Sequence, residues 1–346
     1  MTNITKFEID MLDVKAADAF LIHAFVKNTL AGEDEYVVLV DAGNECDGEK
    51  IVKHINRYYK KKQIDLAIIT HCDADHYGGM KYLIEEHNND KSSFRIGKVW
   101  IHDPYQHVDV DDVKYVRKNE TLRARLNAAY AFSNGTSLLD ALCEANINKE
   151  EVFSDSKYDP LNICVLGPDK DYYESLIPDF RVDLDFIKEQ VDDEYEEKNN
   201  ELLTESKFYS NALANAPDDK SKVNQSSIVF RLVVGNETYL FTGDAGREAL
   251  HRIINNDKKN GSLKNISWLK VPHHGSKHNI DNEIIEYFHP KVSYLSTEKY
   301  GKFANRCTIN ALKKVGSVYS THVNHANYWH HHGTDDRAEY SPAQSL

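Results

Sequence analysis

Residues 70–79, Thr70-His71-Cys72-Asp73-Ala74-Asp75-His76-Tyr77-Gly78-Gly79, place four side chains suited to metal ligation, His71, Asp73, Asp75 and His76, within six positions. The run before them, Ile64-Asp65-Leu66-Ala67-Ile68-Ile69, is almost continuously apolar, the pattern of a strand covered on both faces. The ligand loop therefore follows a strand's carboxyl end, where open α/β sheets keep their ligand sites. Gly78-Gly79 permits close approach of the backbone, and Met80, Leu83, Ile84 and His87 then recur at helical spacing. The local order is strand, ligand loop, helix, and one such loop has donors enough for two cations.

Outward from this loop the chain alternates strand and helix patterns. Strands are predicted near residues 7–14, 19–26 and 36–40, followed by a helix over about 49–61. In that helix Ile51, Val52, Ile55, Tyr58 and Tyr59 form an apolar stripe, with Lys60-Lys61-Lys62 at the end where the helix dipole favours positive charge. The lysine run is read as a solvated helix end rather than a nucleic-acid contact. Further strands are predicted at 98–102 and 161–168, and two helices between about 109 and 146, separated at Asn134-Gly135-Thr136. Residues 169–222 are strongly acidic, above all 179–201, and read as a solvated insertion, partly helical, that overhangs the site or meets a partner. After it, strands at 228–233, 239–242, 266–271 and 292–295 alternate with three helices. Two sets of strands, each coated by helices, make a four-layer αβ/βα sandwich the expected architecture, one domain over 1–346, with the helical and acidic insertions within 105–222.

Composition bounds the function. At 346 residues, 41% hydrophobic and 28% charged, the chain is of ordinary globular type and can bury a sizeable core. It shows no apolar run long enough to span a bilayer and no basic-then-apolar leader, so a cytoplasmic location is expected. Its five cysteines show no paired spacing, which argues against a disulfide framework or a zinc knuckle. The formal net charge of -13 argues against holding nucleic acid through a generally basic surface. It does not exclude hydrolysis of phosphodiesters, because bound divalent cations reverse the field locally.

His-x-Asp-x-Asp-His-x-Gly-Gly resembles the signature loop of the metallo-β-lactamase superfamily, usually His-x-His-x-Asp-His, and Asp73 in place of the second His resembles its ComEC-like branch, that of the competence-protein hydrolase domain. Other stretches resemble that branch in order: Met11-Leu12-Asp13-Val14 through Asp18, Val40-Asp41-Ala42-Gly43, Asn224-Gln225-Ser226-Ser227, Thr242-Gly243-Asp244, and Lys270-Val271-Pro272-His273-His274-Gly275-Ser276. The resemblance implies the same sandwich and two divalent ions. His71 and Asp73 would bind one, Asp75, His76 and a His of the 273–274 pair the other, and Asp244 would bridge them. A bridging water would then be deprotonated near neutral pH and attack. His273, after a strand and a proline, is the better ligand of its pair, leaving His274 as a substrate contact or proton donor beside Asp75, or in a packing role. Asp41 would hold the loop from the second shell. For Asp244 alone a helix N-cap would suffice as explanation. The family's third-motif His would fall near Asn224, and no His occurs between His107 and His251, so that ligand is missing or replaced by Asn224, Gln225 or water; with Asp73 also in place of a His, the first position becomes oxygen-rich and manganese or magnesium gains there over zinc.

The leading expectation is a metal-dependent phosphodiesterase or nuclease acting on DNA, RNA or a nucleotide messenger. The alternatives are a hydrolase of lactones, thioesters or lactams, which uses the same metal chemistry, and a non-catalytic metal-binding module with a protein partner, or a second copy of itself, on the acidic insertion. The histidine-rich tract from His322 to His332 reads as a surface strand and loop or as part of the cleft.

Overall fold

Each of two sheets is half antiparallel and half parallel in this computed structural model, which describes residues 3–28, 32–107, 122–181, 212–298, 304–322, 330–333 and 345–346. The first sheet contains β1 (Ile4–Met11), β2 (Phe20–Asn28), β3 (Gly32–Val40), β4 (Gln63–Ile68), β5 (Arg95–Trp100), β6 (Asn148–Glu150) and β14 (His330–Gly333), in the order β14-β1-β2-β3-β4-β5-β6. The second contains β7 (Lys157–Tyr158), β8 (Ile163–Gly167), β9 (Val229–Val234), β10 (Glu237–Phe241), β11 (Trp268–Lys270), β12 (Val292–Glu298) and β13 (Ser317–His322), in the order β13-β12-β11-β10-β9-β8-β7. Strands β3 to β6 run parallel, as do β10 to β13, and the remaining pairings are antiparallel.

Alternation along the strands explains why their sequences are apolar throughout. Phe20, Ile22, Ala24, Val38, Val40, Leu66 and Ile68 face inward onto Phe230, Leu232, Phe241 and Trp268 of the second sheet. Leu21, Val37, Leu39, Ala67 and Ile69 between them face the outer helices. The inner layer is aromatic: Phe230 stacks on Phe241 at 4.8 Å between ring centres, and Phe241 meets Trp268 at 4.8 Å. Outside the first sheet, helix Gly48–Tyr58 packs on Met80–Asn88, and the latter touches β5 and helix Leu138–Glu144. Outside the second, Arg247–Asp257 meets Asn282–Phe288, which meets Arg306–Leu312. These are the four layers expected of the sequence.

The lysine run behaves as a helix end. The Lys62 ammonium donates to the last-turn carbonyls of Ile55 at 3.2 Å and Asn56 at 2.7 Å, that of Ile55 accepting also from the Tyr59 backbone N–H at 3.1 Å. The histidine tract gives a strand: β14 pairs antiparallel with β1 at the edge of the first sheet, while His325 lies outside the described residues.

The acidic insertion is narrower than expected. Residues 182–211 lie outside the described residues, but their flanks belong to the core. Asp169 caps helix Lys170–Leu176 by accepting from the Tyr172 backbone N–H at 2.8 Å, and Tyr172, Tyr173, Leu176, Ile177 and Phe180 are buried, as is Leu213. Averaged acidity concealed a short apolar stripe at helical spacing. Among the described residues no helix is long and apolar enough to cross a membrane, and the five cysteines form no disulfide.

Just beyond β5, the His102 ring stacks on Phe153 at 4.9 Å and meets Tyr173 at 4.3 Å, with its Nε2–H donating to the Val152 carbonyl at 2.7 Å. Burial, which disfavours the charged form, pushes His102 down to about 4. The unfolded chain therefore binds the extra proton first as pH falls, and stability is lost between about 6.5, the free histidine value, and about 4. Across that window the native chain should lose up to about 3 kcal/mol relative to His102→Gln. Urea unfolding of both proteins against pH checks this, and parallel curves would contradict it.

Candidate metal centre

The mixed sheets bring many chain reversals to one edge. Parallel strands β3, β4, β10, β11 and β12 end there, and because β2 is antiparallel to β3 and β9 to β10, the segments leading into β2 and β9 begin there. This edge carries Asp18 before β2, Asp41 after β3, the 70–79 loop after β4, Asn224 and Ser227 before β9, Asp244 after β10, His273-His274 after β11 and Ser296 at β12. The backbone ties the loop to both sheets: Ile228 N–H donates to Thr70 O at 2.9 Å, Asp18 N–H to Asp75 O at 3.2 Å and Ala42 N–H to His76 O at 2.6 Å. A Cβ on Gly79 would stand 2.1 Å from the Ala42 carbonyl oxygen, so glycine is required there by close approach.

Three imidazoles are turned the same way. Asp41 accepts from the Thr70 backbone N–H, the Thr70 hydroxyl and His76 Nδ1, each at 2.8 Å. Since the Thr70 hydroxyl gives its proton to Asp41, it accepts from His71 Nδ1 at 3.0 Å. His274 Nδ1 donates to the Ser296 carbonyl at 2.8 Å. Every Nδ1 is thus anchored as a donor, which leaves Nε2 as the lone-pair nitrogen and sets the tautomer that a metal requires. The Nε2 atoms of His71 and His76 are buried without a hydrogen-bond partner, which is uncommon for buried polar atoms unless an ion completes them.

Carboxylates face these nitrogens. Asp244 Oδ2 lies 3.3 Å from His76 Nε2 and 3.7 Å from His274 Nε2. Asp75 Oδ2 lies 3.4 Å from His274 Nε2 and 3.8 Å from His76 Nε2, and Asp73 Oδ2 is 3.5 Å from His71 Nε2. Donor atoms of His71, His76 and Asp244 fall within 4.8 Å of one another, as do those of Asp75, His76 and His274. The donor set of nitrogen and carboxylate oxygen fits divalent metal ions.

Fixed cations compensate part of this charge. The Lys270 ammonium is buried against Asp18 and lies 3.2 Å from Asp244 Oδ1, so the two Asp244 oxygens divide between lysine and imidazoles. Burial raises the Asp244 pKa, but His76, Lys270, His274 and His273 outweigh it and hold the carboxyl well below the ordinary range. Burial likewise opposes a charge on His76, yet Asp244, Asp41 and Asp75 together hold its pKa well above the usual value. Asp75 is lowered in the same way by His76 and His274 against its burial. The centre is a negative pocket in which a proton on His76 stands where an ion would bind.

His71, Asp73, Asp75, His76 and Asp244 therefore come together as the sequence suggested, with Asp41 behind them. Of the 273–274 pair, it is the second ring that is buried among the carboxylates. His274 is the buried ring aimed between Asp75 and Asp244, whereas His273 has a side chain 20% exposed, an Nε2 at 3.9 Å from Asp244 Oδ2, and an Nδ1 at 3.0 Å from Asn279 Oδ1. Both residues adopt left-handed backbone angles, φ 44° and 52°, and this sharp turn sends the second ring, not the first, inward. Asn224 donates to Asp219 Oδ2 at 2.7 Å, leaving its Oδ1 buried without a hydrogen-bond partner. Sequence reasoning missed Asp18, Lys270, Asp219, Asn279 and Arg181 as site residues. Asp18 and Lys270 stood inside motifs already quoted, but Arg181 and Asp219 had no local signal.

A sequence model described as the metallo-beta-lactamase superfamily matches residues 25–144, which contain the ligand loop. Over those residues the chain is similar to the metallo-β-lactamase superfamily. It is 24% identical over 313 residues to ComE operon protein 3 of Bacillus subtilis, a match covering 86% of this chain but only 29% of that protein. Among solved structures it is similar to the metallo-beta-lactamase fold protein YhfI of Bacillus subtilis, with 10% identity, 93% and 98% of the two chains covered and a TM-score of 0.42. A diphosphatase of the PhnP family matches with 11% identity, 81% and 72% coverage and a TM-score of 0.35. The superfamily is one of hydrolases that typically bind divalent metals, and the His/Asp clusters of this chain are suited to holding them.

Two expectations follow for the superfamily centre. Retention of manganese or zinc after desalting should be lost on His274→Ala and preserved on His273→Ala; the opposite pattern would restore the sequence-based choice. Because an ion must displace the His76 proton, affinity should rise with pH, by about tenfold per unit for each proton released. Calorimetry in buffers of different ionisation enthalpy counts those protons.

Proposed function

We propose that this chain is a metal-dependent phosphodiesterase whose substrates are nucleic-acid strands or nucleotides. The observation that carries the hydrolase reading is the convergence of the His71, His76 and His274 Nε2 atoms on the Asp244 and Asp75 carboxylates, with each Nδ1 anchored to an oxygen. His71 and Asp73 would hold one ion, Asp75, His76 and His274 the other, and Asp244 Oδ2 would lie between them. Bound there, divalent ions supply a nucleophile from water at neutral pH and charge for the transition state. The chain's own residues do the rest. Asp41 and Ser296 fix the ring planes, Lys270 restrains Asp244 by holding Oδ1, and the half-exposed Asp73 and Asp75 face the opening. His273, held through Asn279 and Asp219, is partly exposed beside the cluster.

Two features favour phosphodiesters over carboxylic substrates. Asp73 and Asn224 replace histidines of the superfamily pattern, which gives one position oxygen donors suited to manganese or magnesium, the ions of phosphoryl chemistry. The sequence relation runs to ComE operon protein 3, of which the chain spans 29%, and the resemblance of its motifs to the ComEC-like branch implies an association with DNA degradation. A single domain over 1–346 in which the acidic stretch serves as the partner surface accords with this reading.

The test is turnover of bis(p-nitrophenyl) phosphate, single-stranded DNA, RNA and carboxylic esters with manganese, magnesium and zinc supplied separately. Manganese-dependent phosphodiester cleavage is expected, falling at least a hundredfold on Asp75→Ala, and Asp73→His should move the preference toward zinc. Full activity after chelation would refute the metal mechanism, and cleavage of esters alone would refute the substrate class.

A further inference from the structure

A cation that no superfamily motif supplies sits on the first metal position. The Arg181 guanidinium lies 3.1 Å from Asp73 Oδ1 and donates to the Cys72 carbonyl at 2.5 Å, so it grips the ligand loop at two points. It is delivered there by a rigid path. Helix Lys170–Leu176 runs into the turn Ile177–Asp179, Phe180 is buried against Tyr173, and buried Arg125 holds the turn by donating to the carbonyls of Phe180 at 3.1 Å and Pro178 at 3.2 Å. Arg181 itself takes a left-handed φ of 57°, unfavourable for a residue with a Cβ, so the packed turn and the ion pair hold it where an unconstrained arginine would not go.

The two oxygens of Asp73 are thereby divided. Oδ1 faces arginine, and Oδ2 faces His71 Nε2 at 3.5 Å. The first position keeps an open carboxylate oxygen but loses most of that carboxylate's charge. Its other donors are His71, which is neutral, and the Asp244 oxygen, which both positions share, so an ion there would be held by less ligand charge than one at the second position. At the second position, Asp75 and Asp244 both face His76 and His274, and Lys270 is on the far oxygen of Asp244. Ion affinity follows the charge and number of ligands, which makes the two positions unequal.

We propose that Arg181 is a resident cation of the His71/Asp73 position, keeping it a weak, exchangeable site, so that the chain holds one divalent ion tightly and takes the second only at high ion concentration. The inference rests on the metal-hydrolase reading above and adds a regulating residue to it. Arginine is suited to the part because it remains charged at any working pH and binds a carboxylate in a fixed plane.

The experiment is metal content and calorimetry on the full chain, with Mn2+ and then Zn2+ as the probes. The native protein should retain one equivalent after desalting and show a second, weaker step on titration. Arg181→Gln should tighten the weak step at least tenfold and raise retention toward two, while Arg181→Lys, which keeps the charge, should stay close to the native pattern. Circular dichroism and thermal midpoints establish that each variant is folded. Native protein with two equally tight ions would overturn the proposal without any variant, and so would a weak step unchanged within twofold in Arg181→Gln. His274→Ala separates the two levels of argument. If it removes the tight ion while Arg181→Gln changes nothing, the metal centre stands and the role of Arg181 falls; if no protein binds an ion, both fall.

Discussion

The carboxylate of Asp41 is the contact on which the centre depends. Buried at the end of β3, it accepts three hydrogen bonds, two from Thr70 and one from His76, and so fixes both the start and the end of the ligand loop. Through the Thr70 hydroxyl it also sets the His71 ring, so one side chain determines two tautomers. A buried carboxylate is costly unless its lone pairs are satisfied, and these three donors satisfy it. Asp41 adopts φ 56°, a conformation that L-residues avoid, and it does so because the chain must turn at once from β3 to reach the loop. The remaining ligands arrive from the other sheet, and the bond from Ile228 N–H to Thr70 O registers the two halves of the site against each other.

Charge is distributed to the same end. The formal net charge of -13 repels polyanions at a distance, yet the site itself gathers buried carboxylates that only cations can stabilise. Lys270 and the proton on His76 perform that service within the chain, Lys270 permanently and the proton exchangeably. A divalent ion bound there would take the place of the exchangeable part, one positive charge for another, and would reverse the local field of an acidic protein.

Much of this was legible in the sequence because it is local. The strand before residue 70, the ligand spacing and the glycines are contiguous, and both faces of the inner strands show as unbroken apolar runs. Strand limits moved by only a few residues: β1 was expected at 7–14 and is Ile4–Met11, and β5 was expected at 98–102 and is Arg95–Trp100. What escaped was non-local. The choice between His273 and His274 turns on two successive left-handed residues, and neither composition nor spacing encodes which ring a strained turn points inward. Averaged acidity over 169–222 hid the apolar stripe of Tyr172, Tyr173, Leu176, Ile177 and Phe180, and with it the route by which Arg181 reaches the loop.

That route changes the meaning of the acidic stretch. Residues 182–211 leave the described structure at Arg181, on the Asp73 carboxylate, and the chain returns through Leu213 to Asp219, which holds Asn224 and Asn279 beside His273. Both anchors are therefore contacts of the centre, one on each side of it. Asp219 accepts from Asn224 Nδ2 and Asn279 Nδ2, each at 2.7 Å, and the Asn279 oxygen in turn faces His273 Nδ1 at 3.0 Å. An amide that donates through nitrogen must present its oxygen elsewhere, so Asp219 fixes which atom of Asn224 is left to accept and which atom of Asn279 faces His273. In this chain the flanks of 182–211 alone bring the Arg181 guanidinium onto Asp73 and fix the orientation of Asn224 and Asn279, so one flank is tied to the ligand loop and the other to the His273 side of the cluster.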